Sequence, residues 1–556
     1  MLWAVTVVLA TALFWALAIA ILANTGDGNA VAFLHPSCAG GGGGERVLWC
    51  AVHALLQRRG VGASNEALEG ARSAASDASS DLPPPRRIVV YTQRYRPHGK
   101  SVSASDLSSY IRECVVQQFG EETFAAAVSA VELIPLWTTP LLEPRRYPVL
   151  TLLLQTLAGG VVALEIALRH LRNLAWYAIG NRLSANLSRR WHLSGGGMPA
   201  VLIDSVGVPF ALPCLKAFTA GRLYTAAYVH YPLVSGEMEV AAAASRQRFG
   251  KRWRLLYYRW LLLPLYERCG QFTDVVMVNS SWTQAHMRHR WRRWSSRLRN
   301  AWLASADPKA GADAGERPMS VVYPPCGPFE EAAAPAPLPD LSCDTVRQRW
   351  MSIGQFRPEK RHALQADAFA TALERYRQQV PHLQLTMFGG VRNGVDRARV
   401  TQLQHRVASC SRAECPTAER VHFVVNAPRA TIERALRSGE YGVYVHTMRD
   451  EHFGISIVEA AAAGLLVVAH ASGGARADIL NAHDGGDSPE PLGLLFHTDA
   501  ELVERIADAA FRLPPSVLQA MQQRAQRRCR ARFSDAAFCR AFWHGIAPLL
   551  LAAAAT

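Results

Sequence analysis

Two carboxylates with seven residues between them, Glu451 and Glu459, stand in the string HTMRDEHFGISIVE of residues 446–459, which leads into an alanine-rich run ending at Gly464. Phe453-Gly454 reads as a tight turn before a helix that begins near Ile455, so Glu451 lies on the loop and Glu459 about one turn into the helix. A carboxylate accepts hydrogen bonds from two neighbouring hydroxyls, which suits recognition of a polyol. Free amides near Gly454 suit sugar hydroxyl or phosphate oxygens. After the next strand, Ser472-Gly473-Gly474 supplies a further glycine turn at the same rim.

Two other strings add charge and backbone. SIGQFRPEK, residues 352–360, places Arg357 and Lys360 just past a strand. Arginine chelates phosphate oxygens and lysine supplies a point charge, so the pair could neutralise charge on a departing nucleoside diphosphate. HPSCAGGGGGER, residues 35–46, sets Gly41, Gly42, Gly43 and Gly44 between a strand and a helical run, where backbone amides can approach a phosphate or diphosphate. Each feature also has a plainer reading. Surface cations are common, a glycine run fits a flexible turn, and carboxylates at a helix start answer the helix dipole. His230, ending the apolar run YTAAYVH, fits a core histidine at a strand end.

The elements that would position these residues are short buried strands alternating with helical patterns. Residues 30–34, 87–91, 201–204, 224–230 and 274–279 form a first set, and residues 350–353, 383–388, 421–425, 441–446 and 465–470 a second. Near-continuous apolar runs of this length fit parallel strands covered on both faces, so each set predicts a doubly wound α/β domain. A chain of 556 residues exceeds what one core supports, and two domains follow. We divide it into residues 1–24, 25–302, a linker region at 303–340, a second domain at 341–530 and a C-terminal helix at 531–556. Residues 60–85 and 180–197 read as surface insertions.

Residues 1–23 are apolar apart from threonine and carry no charge, long enough to cross a bilayer as a helix. A cleaved signal peptide is the alternative, but it would carry a basic start and a shorter apolar run. Arg46, Arg58 and Arg59 follow the helix, so the rest of the chain is expected on the cytosolic side. The sequons at Asn186 and Asn279 then have no glycosylation role. Residues 148–168 and 253–266 are candidates for helices in the membrane interface, or for ordinary buried helices. The net charge of +15 suits anionic lipid or phosphorylated substrates, and no nucleic-acid motif accompanies it. Eleven scattered cysteines, none spaced C-x-x-C, suggest neither a disulfide framework nor a zinc site.

Taken together, HPSCAGGGGGERVLW, YVHYP, SIGQFRPEK, HTMRDEHFGISIVEAAAAG and SGGARADI resemble retaining glycosyltransferases of the GT-B architecture. More closely, they resemble the α-1,2-mannosyltransferases of asparagine-linked glycosylation, over residues 31–533 apart from the insertions. The resemblance implies two Rossmann-like domains facing a cleft, plus the N-terminal transmembrane helix. It implies transfer of mannose from GDP-mannose, with retention, to a dolichol-diphosphate-linked oligosaccharide on the cytosolic face of the endoplasmic reticulum. By the same likeness Gly41, Gly42, Gly43 and Gly44 lie near the diphosphates of the acceptor and His230 near the reacting sugar. Arg357 and Lys360 then meet the donor diphosphate, Glu451 with the Phe453-Gly454 backbone meets mannose, and Glu459 meets ribose. No cofactor or catalytic metal is implied. Membrane lipid and other mannosyltransferases of the pathway are expected partners. The general family motif has arginine where this chain has Gln355, which makes Arg357 the less secure of the two cations. Another donor, a glycolipid acceptor, or a non-catalytic scaffold are the competing functions.

Overall fold

The computed structural model describes residues 2–60, 84–95, 102–103, 106–119, 122–143, 146–147, 150–183, 197–232, 257–291, 319–327, 335–410, 417–480 and 490–555. The chain forms two compact units. One comprises residues 1–279, 283–322 and 539–556, the other residues 280–282 and 323–538. Residues 61–83, 184–196 and 304–316, read above as insertions and linker, lie outside the described residues, as does Asn186.

In the first unit, β1 (Asp27–Leu34), β2 (Arg87–Gln93), β3 (Glu132–Leu136), β4 (Pro199–Asp204), β5 (Tyr224–Val229), β6 (Val275–Val278) and β7 (Met319–Val321) make one parallel sheet in the order β3-β2-β1-β4-β5-β6-β7. Strands β5 and β6 are buried throughout, and their Val and Ala side chains have no solvent face to alternate towards. The order reverses between β1 and β4, the kind of switch point beyond whose carboxyl strand ends such sheets bind ligands. Strand β5 stops at Val229, one residue short of the sequence expectation, which leaves His230 in the loop at the carboxyl end of that strand.

The long helix Thr151–Leu183 covers the expected interface stretch but is built into this unit. Val162, Ala163, Ile166 and Ala167 are buried against the sheet, while Leu157, Val161, Leu168 and Trp176 are exposed. Glu165, out of place in an apolar helix by sequence, accepts hydrogen bonds from the Trp137 and Thr138 amides at 2.9 Å each and from the Thr138 hydroxyl at 2.7 Å. Those donors hold its carboxyl below the usual range against the opposing effect of burial. The helix Leu2–Asn24 ends on the same unit: Trp15 stacks on Phe218, and Arg222 donates to the Ala23 carbonyl at 3.0 Å and the Asn24 side chain at 2.9 Å. Among the described residues one helix, Asp535–Ala554, is long and apolar enough to cross a membrane by length and composition. Its later part is core of the first unit, with Phe542 stacked on Phe33 and Leu549 and Ala553 buried.

Beneath β5 and β6 lies a buried ion pair. Lys216 Nζ reaches both Asp274 oxygens at 2.7 Å, and the Thr225 amide and hydroxyl donate to the same carboxylate. Removing one partner strands the other charge, so Asp274→Ala is expected to destabilise the protein by about 3–5 kcal/mol. The readout is a lower Tm of the detergent-solubilised chain, and Lys216→Met combined with Asp274→Leu should recover much of the loss.

In the second unit, β8 (Arg349–Ile353), β9 (Gln384–Gly389), β10 (Val421–Val425), β11 (Val443–His446), β12 (Leu466–His470) and β13 (Leu494–Phe496) form a parallel sheet ordered β10-β9-β8-β11-β12-β13. This is the doubly wound dinucleotide-fold order, with its reversal between β8 and β11. Helices such as His362–Arg375 and Ile455–Ala462 join the strands, and Asp499–Ala507 follows the last of them. That helix is capped by Thr498, whose side chain accepts from the Glu501 amide at 3.2 Å and satisfies one of the free donors of the first turn.

Candidate functional site

Both sheets bring sequence-predicted residues to the carboxyl ends of strands at their reversal points. In the second unit the loop after β8 carries Gly354 through Lys360, and the loop after β11 carries Glu451, Phe453 and Gly454. Lys360 Nζ bonds Glu451 Oε2, and the same oxygen accepts from His446 Nε2 at 2.9 Å. Burial alone would raise the Glu451 carboxyl; the His446 hydrogen bond and the Lys360 charge outweigh it and hold the group well below the ordinary carboxylate range. His446 is itself lowered by burial, so it is a neutral imidazole whose Nε2 carries the hydrogen.

The backbone around this cluster is tightly specified. Thr447 Oγ1 donates to the Lys360 carbonyl at 2.8 Å and accepts from Gln365 Nε2 at 3.0 Å. The Asp450 amide donates to Ser472 Oγ at 2.7 Å and the Gly474 amide to the Glu451 carbonyl at 2.7 Å, so the second glycine turn braces the carboxylate loop. Gly473 has φ +59°, and a Cβ there would stand 2.2 Å from the Glu451 carbonyl oxygen, which admits only glycine at that place. Phe453 is buried, its ring 5.7 Å from Tyr323 and 5.2 Å from Phe533. Gly454, at φ +110°, turns the chain into Ile455–Ala462, whose fifth residue is Glu459.

Two further residues are placed less simply. Glu459 Oε1 bonds Arg429 Nη2 at 2.6 Å, an arginine the sequence did not single out. Arg357 turns to Glu359 at 3.5 Å and is not bonded to the Lys360–Glu451 pair. The string at 446–459 opens on His446, whereas Arg429 lies outside every string singled out, and nothing in their spacing says that the folded chain aims them at Glu451 and Glu459.

In the first unit, His35 follows β1 and His230 follows β5. Ser205 Oγ donates to the Leu34 carbonyl and accepts from His35 Nδ1 at 2.8 Å, which fixes the His35 tautomer. His230 Nε2 donates to the Ser205 carbonyl at 3.0 Å, and Asn279 Nδ2 to the His230 carbonyl at 2.6 Å. Asn279 is therefore a buried structural amide, unsuited to carry a glycan. Burial lowers both imidazoles, His35 to about 3, with His230 adding to the effect, and His230 to about 4. Neither ring is charged near neutrality.

The glycine loop lies against these rings. A Cβ on Gly44 would be 3.6 Å from His230 Nε2 and 3.9 Å from His35 Cε1. Gly43 opens the helix Gly43–Gly60, and Gly41 lies against Gln118, whose amide donates to the Ala39 carbonyl at 3.1 Å. Gly40 and Gly42 make room for the Glu45 carboxylate, whose oxygens would come within 2.3 and 2.7 Å of added Cβ atoms. Burial raises the Glu45 carboxyl, partly offset by the Glu45 and Gly42 amides. Buried Asp204, pushed up to about 6 by burial, caps the following turn through the Val206 and Gly207 amides. Among the described residues no group of three or more His, Cys, Asp or Glu side chains is placed to hold a metal ion.

Comparison with known proteins adds to this geometry. Residues 28–65 and 74–291 match the family described as ALG11 mannosyltransferase N-terminus, and residues 346–510 match glycosyl transferases group 1. The chain is 32% identical over 541 residues to a mouse protein named GDP-Man:Man(3)GlcNAc(2)-PP-Dol alpha-1,2-mannosyltransferase, covering 95% of this chain and 88% of the relative. It is 31% identical to the human protein of that name, covering 91% and 84%, and 30% identical to that of Caenorhabditis elegans, covering 86% and 82%. A sucrose-phosphate synthase from Thermosynechococcus elongatus superposes with a TM-score of 0.50 at 15% identity over 92% of this chain and 96% of its own. That likeness bears on the fold alone, the two Rossmann-like sheets of the GT-B architecture. With two parallel doubly wound sheets and relatives of this identity along nearly its whole length, the chain belongs to the GDP-Man:Man(3)GlcNAc(2)-PP-Dol alpha-1,2-mannosyltransferase family of glycosyltransferases.

Proposed function

We propose that the protein transfers mannose from GDP-mannose in α-1,2 linkage, with retention, to Man(3)GlcNAc(2)-diphosphate-dolichol at the cytosolic face of the endoplasmic reticulum membrane. The observation that carries the reading is the cluster Lys360–Glu451–His446 at the reversal point of the second sheet, in a chain of this family. Lys360, with Arg357 after reorientation, neutralises charge on the departing diphosphate. Glu451 accepts hydrogen bonds from mannose hydroxyls, the Phe453-Gly454 backbone meets the same sugar, and Glu459 meets the ribose. The bond from mannose C1 to the phosphate oxygen breaks as the acceptor hydroxyl attacks from the same face. The leaving phosphate oxygen takes the hydroxyl's proton. These cations supply the electrostatic stabilisation, and the reaction is proposed to need no metal.

His230 is assigned to the reacting sugar. Gly44 lies against His230, so the glycine loop and the histidine belong to one site of the first unit. Gly41, Gly42, Gly43 and Gly44, in the same unit, are assigned to the diphosphate of the lipid-linked acceptor.

The helix Leu2–Asn24, about 34 Å long at 1.5 Å per residue, is assigned as the bilayer anchor. Exposed Trp137, with the Arg94 guanidinium 3.6 Å from its ring centroid, and exposed Leu157, Val161 and Trp176 fit contact with the lipid interface. Association with other mannosyltransferases of the pathway belongs to the same proposal.

The full chain in detergent, given GDP-mannose labelled in the mannose and dolichol-linked Man(3)GlcNAc(2), is expected to label the lipid, with or without EDTA. An α-1,2-mannosidase should then release the label. Consumption of another nucleotide sugar instead, or label resistant to that enzyme, would replace the substrate or linkage assigned here.

A further inference from the structure

We infer that His446 is the positioning residue of the donor site: its Nε2–H keeps the Glu451 carboxylate aimed at the sugar when the donor's diphosphate draws Lys360 away. The inference rests on the proposed assignment of Glu451 to mannose and Lys360 to diphosphate. Those two side chains are bonded to each other, although their proposed ligands are different parts of one molecule. On the proposed assignment the charge of the diphosphate draws the ammonium away from Glu451. Glu451 Oε2 then loses one of its two donors, and an unrestrained glutamate regains rotamer freedom.

His446 is built to prevent that. It ends β11, it is buried, and its ring lies nearly parallel to that of Tyr444, at an interplanar angle of 19° and 6.4 Å between centroids. Its Nε2–H already donates to Oε2, with Nε2 2.9 Å from that oxygen, so the restraint exists before Lys360 departs. Being neutral, the imidazole donates without competing for the phosphate charge. The next residue holds the other partner, since Thr447 Oγ1 bonds the Lys360 carbonyl, tethering the lysine backbone while leaving its side chain free to swing. Consecutive residues of one strand end therefore fix Glu451 by its side chain and Lys360 by its main chain.

The test compares equilibrium binding of GDP-mannose and of GDP, together with kcat and KM, for full-length His446→Leu, His446→Gln, His446→Asn and Glu451→Ala in detergent. Loss of a hydrogen bond to a charged group predicts that His446→Leu binds GDP-mannose about ten- to a hundredfold more weakly. GDP, which has no mannose for Glu451 to hold, should bind as before. Glutamine places an N–H near the position of Nε2 and should restore most of the loss; the shorter asparagine should not. If the leucine variant fails to fold, the glutamine and asparagine variants carry the comparison. Equal weakening of GDP and GDP-mannose, or no difference between glutamine and asparagine, overturns the inference. If Glu451→Ala leaves the preference for GDP-mannose over GDP unchanged, the assignment of Glu451 to the sugar fails instead. If Glu451→Ala removes that preference and His446→Leu does not, only the role given to His446 is lost.

Discussion

Glu451→Ala is expected to lower kcat/KM for mannosyl transfer by about two to three orders of magnitude, the scale of losing a charged contact to the reacting sugar in a desolvated site. The carboxylate is the shared acceptor of Lys360 and His446, and its removal deprives the site of the only acidic group in that contact. The fold should survive. Glu451 sits on a loop whose course is set by backbone bonds, from the Asp450 amide to Ser472 and from the Gly474 amide to the Glu451 carbonyl, and alanine keeps both. Lys360 is part-exposed and can turn to water, so the orphaned charge costs little. Steady-state kinetics beside a melting curve checks both statements: an active variant removes Glu451 from the site, and an unfolded one removes the claim that the loop is held by its backbone.

Lys360→Met is expected to reduce kcat by about a hundred- to a thousandfold, the usual cost of deleting one group that stabilises charge in the transition state. Methionine keeps much of the length and loses the ammonium. The deletion should appear chiefly in kcat, because the proposed role is to meet charge that develops as the diphosphate leaves. Arginine at this position should recover only part of the rate, since a planar fork does not reproduce a compact point charge. A drop confined to KM would make Lys360 a ground-state binding residue and shift the electrostatic role to Arg357.

The sequence made the central strands visible because β1, β5, β6, β11 and β12 are continuous runs of Val, Ala, Tyr and similar residues buried on both faces. It did not disclose β3, β7 or β13, which are edge strands. Two have only three residues, and β3 contains Pro135 and begins at Glu132. A sheet edge tolerates proline and charge, so local composition carries little signal there. The same limit governs the site. The spacing of Glu451 and Glu459 and the nearby turn could be read directly, since they belong to one continuous segment. The bond from Lys360 to Glu451 joins positions 91 residues apart, and the one from Arg429 to Glu459 positions 30 apart. Both exist because parallel strands deliver their loops to the same sheet end, a product of topology that no local pattern contains. Glu165 illustrates the converse. As a letter in an apolar run it interrupts a membrane segment, whereas in the fold it ties that helix to the Trp137–Thr138 turn.

The joint between the first helix and β1 has a mechanical consequence. Only Thr25 and Gly26 separate the helix Leu2–Asn24 from the strand, and Arg222 clamps the last turn of that helix. Such a joint behaves as a rigid crank rather than a swivel. Inserting a single residue before the clamp would rotate the preceding helix by about 100° relative to the seven-stranded sheet. The facing of everything upstream of the joint is thereby written into the phase of one helix.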